Sequence, residues 1–203
     1  MKLLLENWKS YLAEEAIEDI SKMGIFYEED ESLIVIYEYL PVLAKIKRAV
    51  YQDPDKFDIS EHIVGVARLG WRDGHYVIEE IWTERGYGPT LYRMAIEKSG
   101  RHGISPSIVK GQVSEQASNV WKQFYDGRGS QYAKHQPLEK KVHGVEHLDS
   151  LYFLDGPEVN KTKALSNHKK IFNSRRDPYD ELITYLLETA SSLLRDKMAE
   201  VGY

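Results

Sequence analysis

Residues 78–95 read IEEIWTERGYGPTLYRMA: a strand-like run meets Gly86-Tyr87-Gly88-Pro89 and passes at once into a helical pattern. No other feature limits the fold as much. A strand that enters a helix through Gly-x-Gly needs a tight turn that side chains would obstruct. Pro89 suits the first helical turn, where a backbone amide has no intrahelical partner. Such a turn also leaves amides open at the positive end of the helix dipole, a seat for a phosphate group. On these residues alone, a tight turn and an anion seat are equally good readings. The third glycine of the dinucleotide fingerprint is missing, and so is the Gly-Lys-Ser/Thr ending of a P-loop.

The flanking segments predict a mixed α/β (α+β) fold. SLIVIYEYL, residues 32–40, reads as a strand, and residues 62–73 and 75–84 read as antiparallel strands joined by Asp73-Gly74. The residues that follow Pro41 fit either a helix or a strand. A helix is expected from Pro89 to about Arg101 with Gly103 at its exit, then a short strand over 108–113. Ser114 caps a second helix in which Ala117, Val120, Trp121, Phe124 and Tyr125 recur at helical spacing up to Gly127. A late strand over 147–157 and a long amphipathic helix from Asp177-Pro178 complete the pattern. At the other end Leu5, Trp8, Leu12, Ala16 and Ile20 mark an N-terminal helix ending near Gly24. The expected organisation is that helix at 1–24, a core at 25–157, and a basic loop with a C-terminal helix at 158–203.

Composition excludes several functions. There are no cysteines, which removes disulfides, thiolate metal sites and cysteine nucleophiles. The N-terminus lacks a signal-peptide core and no run approaches a membrane span, so the expectation is a cytoplasmic protein without a membrane partner. A net charge of -5 argues against general nucleic-acid binding. The segment 161–176 nevertheless holds six Lys and Arg and no acid: a solvated loop is the plainer reading, and a protein or nucleic-acid contact the alternative. Nothing in the sequence specifies an oligomeric state.

The junction Thr83-Glu84-Arg85-Gly86-Tyr87-Gly88, taken with Ser114-Glu115-Gln116-Ala117-Ser118-Asn119-Val120-Trp121, resembles the GNAT superfamily of acyl-CoA-dependent N-acetyltransferases. In that family a strand ends in Arg/Gln-x-x-Gly-x-Gly/Ala before a helix that holds the CoA pyrophosphate. A later Asn-x-x-Ala-x-x-x-Tyr contacts the CoA arm and supplies a general acid. Both glycines and Ala117 match, whereas Thr83 replaces Arg or Gln, Ser114 replaces Asn and Trp121 replaces Tyr. GYGPTLY followed by VSEQASNVW is also similar to small GNAT-like proteins of tailed bacteriophages. The resemblance covers residues 62–126. The leader MKLLLENWKSYLAEE, with Leu12-Ala13-Glu14, looks like short phage leaders, although a packed helix is the plainer reading.

The resemblance implies a central mixed, mostly antiparallel sheet flanked by helices, with acetyl-CoA as cofactor and an amine of a protein or small molecule as acceptor. Ile81, Trp82, Arg85, Gly86, Tyr87, Gly88, Thr90, Ser114 and Trp121 would bind the cofactor. Amine acetylation needs a base, a polarised thioester carbonyl and a proton for the leaving thiolate. Glu80 is the preferred base and Glu79 the second candidate; strand alternation puts them on opposite faces. Tyr125, one turn beyond Trp121, is the candidate acid, with Tyr92 a further option. The alternative is a non-catalytic phage binding or virion-associated module of the same fold. HGVEH, residues 143–147, fits a His-x-x-Glu-His zinc pattern, but Gly144 and Val145 disfavour the helix it needs, and no metal site is expected.

Overall fold

The computed structural model describes residues 23–28, 33–38, 41, 42, 44, 45, 59–84, 86–129, 133–154 and 178–200, with the side chains of the last segment from 184 onward. Residues 1–22 of the expected N-terminal helix, the basic segment 161–176 and Arg85 lie outside the described residues. Seven strands form one sheet: β1 (Met23–Glu28), β2 (Leu33–Glu38), β3 (Ile63–Arg72), β4 (His75–Thr83), β5 (Ile104–Ser105), β6 (Ala133–Pro137) and β7 (Ser150–Leu154). Among the described residues three helices longer than ten residues accompany them: α1 (Gly88–Ser99), α2 (Glu115–Tyr125) and α3 (Pro178–Glu200). The order across the sheet is β1-β2-β3-β4-β5-β7-β6, and every pairing is antiparallel except that of β4 with β5. The fold is α+β, with a mostly antiparallel sheet covered by helices.

Burial on both faces explains the unbroken apolar run of β2. Ile34 and Ile36 enter a core shared with α1 and α2, while Leu33, Val35 and Tyr37 enter a second core closed by Leu186, Ala190 and Leu194 of α3. The β3–β4 hairpin turns at Asp73 and Gly74, whose φ values of 50° and 84° are those a two-residue turn between twisted strands requires. Residues 41, 42, 44 and 45 are helical, which matches the helix reading for the start of the segment at Pro41; residues 43 and 46–58 lie outside the described residues. Among the described residues no helix is long and apolar enough to cross a membrane.

Four boundaries differ from expectation; one is that the late strand begins at Ser150 and not at residue 147. Met23 and Gly24 belong to β1, so the sheet begins where the N-terminal helix was expected to end. The exit of α1 is Gly100, at φ 55°, and not Gly103. The strand expected over 108–113 lies earlier, at Ile104–Ser105, and 106–113 are turns and bends. Pro106 has no amide to extend the ladder, and the β-branched Ile108 and Val109 that suggested a strand are exposed.

Candidate functional site

β4 and β5 pair only through Tyr76↔Ile104 and Val77↔Ser105. Beyond Val77 the two segments part, for reasons on both sides. Pro106 ends β5. On β4 the register with β3 passes from Leu69↔Ile78 to Arg68↔Glu80, leaving Glu79 as an extra residue, and such a bulge bends and twists its strand. A cleft of about 660 Å³ occupies the gap. Its lining draws on residues 78–83 of β4, the loop before α2, Tyr92 of α1, Ala117, Val120 and Trp121 of α2, and Lys197 and Met198 of α3. Tyr92 and Trp121 belong to one core whereas Met198 packs on the other, so the cleft joins the two faces of the sheet.

The bulge corrects the expectation that Glu79 and Glu80 face opposite ways. Glu80 Oε2 accepts from Arg68 at 2.6 Å and Glu79 Oε1 from Arg72 at 2.7 Å. Arg68, Gly70 and Arg72 alternate along β3 and so share a face. Gly70 leaves room for the Glu79 carboxyl to lie across it; a Cβ there would collide with that group. Both carboxylates therefore sit on one face, both line the cleft, and each is held by an arginine.

At the far end of β4 the Tyr87 amide donates to the Glu84 carbonyl at 3.2 Å, and the first helical bond runs from the Leu91 amide to the Tyr87 carbonyl at 3.0 Å. The amides of Gly88 and Thr90 thus precede the helical ladder. No side chain caps α1 and no acid stands in its first turn. Gly86 has φ 100°, which only glycine adopts readily, and no atom lies within 4 Å of where its Cβ would be. Gly88 lines the cleft, Gly86 and Tyr87 precede it in the chain outside the lining, and Thr90 is buried. The junction is a helix start without a side-chain cap, whose first amides are placed to suit an anion.

On the opposite wall Ser114 caps α2, its Oγ accepting from the Ala117 amide at 3.2 Å. Trp121 is 1% exposed, edge-on to Tyr92 at 5.0 Å and tilted against Tyr152 at 4.6 Å. Tyr125 stands outside the cleft lining. Its hydroxyl donates to Glu146 at 3.0 Å, a bond that raises its pKa, and its ring stacks on His135 at 4.1 Å. Tyr92 is the tyrosine that lines the cleft, and burial pushes its phenol pKa upward.

Residues 143–147 do not form the helix a His-x-x-Glu-His zinc site needs. Gly144 has φ 72°, His143 Nε2 lies 2.6 Å from the Ser107 carbonyl, and His147 Nε2 lies 2.8 Å from Ser118 Oγ. Among the described residues no group of three His, Cys, Asp or Glu is placed to hold a metal. The segment is organised by Asp149, whose carboxylate accepts the amides of Val142, His143 and Gly144 at 2.8, 2.8 and 2.7 Å. Burial alone would raise the Asp149 pKa, but the three amides together outweigh it and hold the carboxyl below its usual value. Its stabilisation is therefore complete above the unfolded-state pKa of about 3.9 and is lost as pH falls through the lower folded-state value. Asp149→Asn should cost roughly 1–3 kcal/mol at pH 7. In urea titrations the gap between variant and parent should close in acid as the parent carboxyl protonates.

Sequence reasoning found Glu79, Glu80, Ile81, Trp82, Gly88, Ser114 and Trp121, which the fold brings into one cleft. It did not find Gln112 and Gln116, nor Lys197 and Met198, the last two because nothing local marks a helix more than 100 residues away as a cleft wall. No family model, no curated protein and no solved structure matches the chain.

Proposed function

We propose that the protein is an acetyl-CoA-dependent N-acetyltransferase of the GNAT type. The observation that carries this reading is the divergence of β4 from β5, which opens a cleft running from paired carboxylates to an uncapped, glycine-led helix start. A mixed, mostly antiparallel sheet flanked by helices is the architecture that the GNAT resemblance implies, and it supports the reading at that level. Acetyl-CoA supplies a thioester. The amides of Gly88 and Thr90, with the open backbone at Gly86, receive its pyrophosphate, and backbone groups of Ile81 and Trp82 flank its arm. Glu80, oriented by Arg68, takes a proton from the acceptor amine as nitrogen bonds the acyl carbon and the C–S bond breaks. Tyr92 replaces Tyr125 as the proton donor to the thiolate, because it is the phenol that lines the cleft.

The test is release of free thiol from acetyl-CoA in the presence of a pool of primary amines. Saturable release above the uncatalysed rate is expected. A second reading, a non-catalytic module of the same fold, is favoured by one observation: both cleft carboxylates are tied to arginines. It predicts no release with any amine.

A further inference from the structure

We propose that the acceptor is a small zwitterionic amine, a molecule carrying an anionic group close to its amino group. This rests on the acyl-transfer reading above. Among the described residues the charged groups lining the cleft are three: Glu79 and Glu80 on β4, and Lys197 in the last turn of α3. The two carboxylates, each already paired with an arginine of β3, offer hydrogen-bond acceptors on one wall and Lys197 offers an ammonium on another, and a ligand that carries both an ammonium and an anion matches the two.

Lys197 is placed to serve as the anion-recognising end. Leu186, Ala190 and Leu194 anchor α3 in the second core, and Met198, next to Lys197, packs against that core beside Trp82. At the C-terminal end of the helix the dipole favours a cation. The Lys197 Nζ donates to both oxygens of Glu200 at 3.0 Å, but the Glu200 side chain is 63% exposed. A pair of this kind is weak and screened by salt, so a bound anion replaces Glu200 at little cost. A polyamine would set a second positive charge against Lys197, and a simple alkylamine would leave the ammonium without a ligand partner. The acyl donor's arm and the acceptor share the same cleft of about 660 Å³.

The experiment is calorimetric titration of the full chain with CoA present, using three matched pairs: alanine and ethylamine, leucine and isoamylamine, phenylalanine and phenethylamine. At least one amino acid should bind about tenfold more tightly than its decarboxylated partner. Lys197→Met should reduce that preference to about twofold or less, and Lys197→Arg should keep it. CoA affinity, measured on each variant, reports that it is folded. Equal binding of acids and amines, a preference that survives Lys197→Met, or binding of neither class overturns the proposal. Failure of CoA itself to bind removes the parent reading, whereas bound CoA with no preference for the acids removes this inference alone.

Discussion

Trp121→Ala is expected to cost roughly 3–5 kcal/mol of folding stability. The indole is 1% exposed and lies among Tyr92, Phe124 and Tyr152 where α2 meets the sheet. Its removal loses both the burial of a large apolar surface and the aromatic contacts, and leaves a void that rigid neighbours fill only in part. Because Trp121 also lines the cleft, that void opens onto it. Trp121→Phe keeps an aromatic ring and should lose less than half as much. Urea unfolding followed by circular dichroism measures both; a loss below about 1 kcal/mol for the alanine variant would show that the site collapses freely.

The second large effect concerns chemistry. Glu80→Gln should lower the rate of thiol release by about 10²–10⁴-fold, the usual contribution of a positioned base. The amide is isosteric but accepts no proton. Its ion pair with Arg68 is about one-third exposed on each side, so the variant should lose only about 1 kcal/mol of stability. Glu79→Gln separates the two carboxylates: its partner Arg72 is the more exposed arginine, and the Glu79 side chain lies back across Gly70, away from the end of β4 that leads to Ile81 and Trp82. A smaller loss is expected there. Equal rates for Glu80→Gln and the parent would remove Glu80 from the chemistry.

Local signals made much of this legible. Asp73-Gly74, the Ser114 cap and the glycine junction are each encoded within a few residues, and the hairpin, α2 and α1 appear where those residues place them. β6 was not legible, because Lys134, His135, Gln136 and Pro137 are exposed along an edge strand and offer no apolar alternation. Nor was the common orientation of Glu79 and Glu80, since the bulge that produces it depends on how β3 pairs with β4. Tyr125 stands outside the cleft lining for a helical reason. Four residues advance about 40° beyond a full turn, enough to carry it from Trp121 in the core to His135 and Glu146 at the surface. The cleft itself arises between segments that diverge, and a sequence pattern reports where strands begin more readily than where they separate.

Thermal unfolding with and without CoA tests the account most directly, because ligand bound only by the folded chain raises its melting temperature. At about a hundred times its Kd, CoA contributes about 2.7 kcal/mol. For a chain of this length that corresponds to an increase of about 5–10 °C. The rise should shrink for Gly86→Ala, in which a side chain occupies the open turn at φ 100°. A melting temperature that does not move in millimolar CoA or acetyl-CoA would contradict the assignment of the β4–β5 cleft as a CoA site.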